Sequence, residues 1–300
     1  MREILSEGLE QLGLTPPEGA VERLEIYARL LVEQNKVMNL TAITEPEAVA
    51  RLHFLDSAAV LGYLRGAGHI SGCGDALSVS FADSSPGGGA SLRGDGGRAD
   101  DIRPYGDEAA SLSVACGDSS PGGGASLRGD APGLRVIDVG TGAGFPGLVL
   151  KILEPSLSLT LLDSLGKRVK WLETVCRELG LEGVTCLHAR AEEQALEPGF
   201  RDSFDAAVSR AVASLPLLTE LCLPYVRPGG TFLAMKSVES GQEILSAQGA
   251  VKRLGGRLEE PVDYAVPGAG VTHRLVRVRK ISNTPKGYPR KWAKIKKEPL

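Results

Sequence analysis

No apolar run in this 300-residue chain approaches the roughly 18–20 residues that a membrane span requires. The N-terminal stretch Met-Arg-Glu-Ile-Leu-Ser-Glu is acidic and amphipathic, without a basic and apolar secretory pattern. Cysteine is sparse and unpaired in spacing: Cys73, Cys116, Cys176, Cys186 and Cys222 form no CxxC. That argues against a disulfide framework and against a thiolate metal site, and places the chain in a reducing cytosol. No Ser-His-Asp pattern and no pair of carboxylates suggests acyl transfer or glycoside hydrolysis. The expectation is a cytoplasmic, metal-free monomer with a real core, at 42% hydrophobic and 24% charged residues.

Charge is small in total but unevenly spread. The net value is −3, yet residues 274–300 hold ten Lys or Arg against one acid. A basic end on an acidic body points to a polyanionic partner.

One stretch organises the rest. Leu134, Val136, Ile137 and Val139 read as a buried strand, followed by a turn through Gly140, Gly142 and Gly144 and a helix opening at Gly147. Strand, glycine turn and helix N-terminus make a nucleotide-binding corner. Gly142-x-Gly144-x-x-Gly147 satisfies the dinucleotide fingerprint, which alone is a weak signal and leaves an NAD-linked oxidoreductase open. A purely structural turn is also open. Asp138, immediately before the glycines, argues for a different ligand. A carboxylate there repels a pyrophosphate and attracts the amino group of S-adenosylmethionine. Asp163, ending the next strand, suits ribose hydroxyls.

Regular alternation follows. Strands are expected at 134–139, 158–163, 184–188, 204–209 and 231–236, with two more near 257–265 and 272–280. Helices fall between them, with Ser164 capping one that stops at Gly180. Gly140 to Phe145, Asp163, Ala191, Glu192 and Arg210 then share the carboxyl ends of the strands, where open α/β sheets bind ligands. Upstream, residues 2–14 and 20–36 carry apolar positions at helical spacing. Thr44 and Glu47 have the spacing of a capping box, and His53 and Asp56 lie one turn apart on one face.

The division expected is a helical region at 1–65, an insertion at 66–133, a Rossmann-like domain at 134–281 and a basic tail at 282–300. The insertion holds 17 of the 38 glycines, and residues 83–95 return unchanged at 118–130. Two copies without a buriable face make no solenoid, and such composition is expected to stay disordered.

Several motifs occur together in order: Asn35-Lys-x-x-Asn-Leu-Thr41, His53-Phe-Leu-Asp-Ser57, Asp138-Val-Gly-Thr-Gly-Ala-Gly-Phe-Pro-Gly147, Asp163-Ser-Leu-Gly-Lys-Arg168, Arg190-Ala-Glu192, Ser209-Arg-Ala211 and Thr284-Pro-Lys-x-Tyr-Pro-Arg-Lys291. In these the chain resembles the glucose-inhibited division protein B family of bacterial small-subunit rRNA guanine-N7 methyltransferases. The resemblance spans essentially everything outside 66–133. It implies a class I methyltransferase fold with a mostly parallel seven-stranded sheet, S-adenosylmethionine as donor, and methylation of N7 of guanine 527 in the 530 loop of 16S rRNA, free or within the small subunit. By its motifs it also implies Gly140, Phe145, Asp163, Ser164, Leu165, Ala191, Glu192 and Arg210 as holding the donor, and the reading of the glycine turn adds Asp138, Gly142 and Gly144 to that site. Arg210, Asn39 and His53 are candidates on the guanine side. Lys286, Arg290 and Lys291 are candidates for RNA phosphates, with Tyr288 and Trp292 available to stack on bases. A non-catalytic rRNA-binding assembly factor is the alternative outside enzymology.

Overall fold

The computed structural model describes residues 1–67, 133–210 and 213–300. Apart from its two ends, the expected insertion lies outside the described residues, as do its duplication, Cys73 and Cys116.

The sheet explains the placement of everything else. Its strands are β1 (Arg135–Val139), β2 (Ser158–Asp163), β3 (Val184–His188), β4 (Phe204–Arg210), β5 (Val226–Ser237), β6 (Gly256–Leu258), β7 (Val262–Ala265) and β8 (Thr272–Lys280). The order is β3-β2-β1-β4-β5-β8-β6, with β7 also on β8. The first five strands are parallel, and β8 returns antiparallel to β5. The order reverses direction between β1 and β4, and that is where a doubly wound sheet opens a ligand crevice. Strands buried on both faces carry apolar residues toward both, as Val136, Ile137 and Val139 do here around the buried Asp138.

Eight strands form, one more than expected. The stretch read as a single strand at 257–265 splits into β6 and β7 around Glu259-Glu260-Pro261, where proline offers no amide proton to β8. Pro228-Gly-Gly230 lies inside β5, which begins earlier than the expected 231, and shifts its register against β4.

One face of the sheet carries helices α1 (Arg2–Gln11), α2 (Ala20–Met38), α3 (Pro46–Val49), α4 (Asp56–Ala58), α5 (Leu61–Ala67) and α6 (Gly147–Leu153), with a wider π-helical turn at Ala50–Leu55. Their apolar stripe is continuous with the sheet. Leu5, Leu24, Tyr27, Leu31 and Phe54 share one core with Val136, Leu148, Leu161 and Val208. The helical region is therefore a layer of the same fold. The second core gathers on α9 (Leu215–Cys222), α10 (Gly241–Arg253) and α11 (Trp292–Lys297).

Helix starts differ from their sequence signals. α3 begins at Pro46 with Glu45 before it and no side-chain cap, so Thr44 does not cap it. α7 (Gly166–Glu178) begins after Leu165, again without a side-chain cap, so Ser164 does not cap it. Asp163 supplies that service from the strand end instead, accepting the Leu165 amide at 2.8 Å. α8 (Ala191–Gln194) follows β3.

Candidate active site

The glycine turn adopts the backbone that the sequence calls for. Gly140, Gly142 and Gly144 have φ of 73°, 58° and 98°, a region that costs other residues roughly 1–2 kcal/mol. The three do different jobs. A methyl group at Gly142 would meet nothing nearer than the Gly140 carbonyl at 3.9 Å, so this glycine faces open space. One at Gly144 would lie 2.5 Å from Leu148 Cδ1 and 2.6 Å from Tyr27 Oη. Gly144 thus serves packing, and Gly142 leaves room for a ligand.

Asp138 sits beneath the turn, fully buried. Its Oδ2 accepts from Thr141 Oγ1 at 2.8 Å and from the Gly147 amide at 2.9 Å. Its Oδ1 has no partner. Burial pushes this carboxyl up to about 6, against the two hydrogen bonds and Arg210. The carboxylate is therefore first a brace for the turn, with its second oxygen left without a donor among the described residues.

Asp163 is spoken for in part. It accepts from the Gly142 amide at 3.0 Å and the Leu165 amide at 2.8 Å, and Arg168 stands 3.5 Å away. Beside it Ser164 is exposed, and Leu165 is 48% exposed, unusual for an apolar side chain next to a buried acid. Glu192 is buried at the start of α8, and burial raises its pKa. Ala191 is held by Tyr225, whose hydroxyl donates to its carbonyl at 2.7 Å. An open glycine turn, an orphaned carboxylate oxygen, an exposed leucine and two further acids fit a nucleoside with a cationic tail.

Arg210, at the end of β4, is not a free cation. Nη1 donates to Asp56 Oδ2 at 3.0 Å and to the Leu52 carbonyl at 3.1 Å, and Nη2 to His53 Nδ1 at 3.0 Å. Its guanidinium lies 4.8 Å over the Phe145 ring, and His53 stacks on the same ring at 4.5 Å. Phe145 is itself buried among Tyr27, Phe54 and His53. It therefore shapes the turn from behind.

Because Arg210 can only donate, His53 Nδ1 must accept, and the ring is the neutral tautomer with its proton on Nε2. Burial, then Arg210, lowers the His53 pKa to about 3. Nε2 donates to Thr41 Oγ1 at 2.8 Å, and that oxygen also accepts the Ile43 amide at 3.0 Å. With both lone pairs taken, the Thr41 hydroxyl has only its proton to offer. Asn39 is exposed, in the left-handed conformation that ends α2. No hydrogen bond joins it to His53 among the described residues.

Sequence reasoning missed three members of this cluster. Asp56 Oδ1 also takes the Tyr264 hydroxyl at 2.8 Å and His273 Nδ1 at 2.7 Å. Tyr27 donates from α2 to the Ala143 carbonyl within the turn. Tyr27 falls among the apolar positions of 20–36, and nothing local signals a hydroxyl bond 116 positions away.

Compared with known proteins, residues 20–75 and 126–262 match the GidB family, described as rRNA small subunit methyltransferase G. The chain belongs to this family. It is 36% identical to ribosomal RNA small subunit methyltransferase G of Lachnoclostridium phytofermentans, covering 98% of this chain and 95% of that protein. It is 37% identical to the same-named protein of Alkaliphilus metalliredigens, over 99% and 98%. Among solved structures, a mutant of the 16S rRNA (adenine(1408)-N(1))-methyltransferase of Catenulisporales acidiphilia is similar at TM-score 0.42 and 13% identity, over 52% of this chain and 89% of that one. The class I methyltransferase fold expected from the motifs is the fold this member of the GidB family has.

The basic end departs from expectation. Arg290, expected on phosphates, instead donates to Glu220, with Nη2 to Oε2 at 2.6 Å. Glu220 is fully buried, so the pair is a structural anchor. Tyr288 and Trp292, expected to stack on bases, pack against the second core, and Ile295 is fully buried in it. Lys286 and Lys291 stay exposed. Among the described residues no helix is long and apolar enough to cross a membrane, and no group of three or more His, Cys, Asp or Glu could hold a metal.

Proposed function

We propose that this chain transfers the methyl group of S-adenosylmethionine to N7 of guanine 527 in 16S rRNA. The carrying observation is the pairing of an open glycine turn over a buried acid with family membership across the chain. Asp138 Oδ1 and the turn take the methionine end, Asp163 the ribose, Glu192 and the Ala191 backbone the adenine edge, and Leu165 an adenine face. When bound, the donor supplies an electrophilic methyl on a sulfonium.

Guanine N7 carries an in-plane lone pair and no proton, so no base is needed to create the nucleophile. The protein must place the two reactants and exclude water. The cluster fits that task. His53 is neutral and cannot act as an acid near neutral pH, and Arg210 is fixed by three partners. Their work is to hold the shape of the wall beside the turn. The Thr41 proton provides a donor for the O6 acceptor that adjoins N7 in guanine, where adenine carries an amino group.

The test is incubation of purified protein and labelled donor with small subunits and with free 16S rRNA from a strain lacking its own enzyme, followed by mapping of the modified base. Label on one guanine N7 is expected. Label on another base overturns the positional reading. Saturable donor uptake without label in any RNA leaves the assembly-factor reading standing.

A further inference from the structure

The basic end separates into two sets once its partners are counted. Arg274 pairs with Asp263, Arg277 and Arg279 with Glu259, Lys280 with Asp202 and Arg290 with Glu220. The remaining five, Lys286, Lys291, Lys294, Lys296 and Lys297, are exposed and have no ion pair among the described residues. Five of the ten cations are thus held in ion pairs within the fold. The other five are lysine alone and lie entirely beyond residue 285.

Their position is the second observation. Thr284 is bonded to Asp202, and Arg201 donates to the carbonyls of Thr284, Pro285 and Tyr288. Asp202 lies two residues before β4 begins, whereas Arg210 ends β4. The length of β4, roughly 20 Å at about 3.3 Å per residue, separates this docking point from the glycine turn's end of the sheet. On α11, Trp292 and Ile295 form the inward row, which leaves Lys294, Lys296 and Lys297 outward.

We infer that these five lysines form a second RNA-binding surface, at the end of the sheet opposite the methyl-transfer site, gripping the phosphate backbone of RNA away from the reacting guanine. This rests on the rRNA reading above. Lysine supplies point charges suited to phosphates. The nearby aromatic rings face the core, so this surface carries no base-stacking platform and binds without regard to sequence. A membrane surface fits less well, because the apolar side of α11 is already buried. Two sites of this separation on one rigid body favour a large folded RNA over a short fragment, by raising the effective concentration of the second contact.

The test compares the full chain with a Lys294→Gln/Lys296→Gln/Lys297→Gln variant, melting temperature checked first. With 16S rRNA or small subunits, the variant's KM is expected to rise roughly tenfold at unchanged kcat. The slope of log affinity against log salt should fall by about one for each lysine that meets a phosphate. With a short target-loop hairpin, KM and kcat should match the parent. Equal loss on the hairpin would place the lysines at the target, and no change on the large RNA would leave them solvated; either overturns the proposal. So does tighter binding to anionic phospholipid vesicles than to RNA. Fluorescence anisotropy with unmethylatable duplex RNA reads the surface even if neither protein transfers methyl groups, which separates failure of this inference from failure of the activity.

Discussion

Asp56 and Arg210 stand 154 positions apart and meet at 3.0 Å, closing a buried ion pair between the helical layer and the end of β4. Asp56 is 2% exposed and accepts from three side chains. Burial alone would raise its pKa, but His273, Arg210 and Tyr264 outweigh it, and the carboxyl sits below its usual range. Asp56→Ala leaves the largely buried Arg210 without its counter-charge and the buried Tyr264 hydroxyl without its acceptor. A loss of about 3–5 kcal/mol in urea unfolding is expected, with Asp56→Asn costing less. A loss under about 1 kcal/mol for Asp56→Ala would show that the pair is dispensable.

Acid should destabilise the protein through His53. Its folded pKa is about 3 against 6.5 when unfolded, so below pH 6.5 the unfolded chain binds the extra proton. Stability therefore falls as pH drops from 6.5 toward 3. At pH 5 the difference of about 1.5 pH units amounts to about 2 kcal/mol at most. His273, whose pKa is raised by its bond to Asp56, acts the other way. Urea midpoints at pH 7.5 and 5.0 check this. His53→Gln should shrink the acid-side loss, and an equal loss in that variant would assign it elsewhere.

Two neighbouring glycines should fail differently. Gly142→Ala places a methyl in open space, so the protein should lose only about 1–2 kcal/mol of stability from the positive φ. Its affinity for S-adenosylmethionine, read by calorimetry, should fall at least tenfold. Gly144→Ala collides with Leu148 and Tyr27, and should lower the melting temperature as well as donor binding. Unchanged donor affinity in Gly142→Ala would remove this glycine from the donor site.

Arg290 should matter for folding rather than for RNA. Arg290→Leu strands a fully buried Glu220, at a cost of about 3–5 kcal/mol. A Glu220→Leu/Arg290→Leu double variant should recover most of that loss. Both folded variants should bind RNA with the parent's salt slope. A slope reduced by about one would return Arg290 to the phosphate contacts.

Thr41→Val removes one hydroxyl at nearly constant volume. Transfer to guanine should fall roughly tenfold or more in kcat/KM, the scale of one hydrogen bond to a base edge, while donor affinity holds. Equal falls in both would make Thr41 a support for His53 only.

The alternating pattern of strands and helices, the glycine turn and the acids at strand ends were legible because each is a local signal: period, residue type, spacing. Strand ends converge on one crevice by topology, so Asp138, Asp163, Glu192 and Arg210 could be grouped before any coordinates. What Arg210 touches could not. Its partners come from the helical layer, and Tyr264 and His273 come from the last strands, so only tertiary packing brings them together. The basic end misled for a related reason. Sequence counts charge, but pairing depends on which acids face it, and Glu220 is hidden on α9.

Tyr27 reaches from the helical layer to a carbonyl inside the glycine turn. Grafting a relative's first 65 residues onto this sheet would therefore also retune the turn proposed to hold the donor. Such a chimera needs its tyrosine and the partner loop exchanged as a unit.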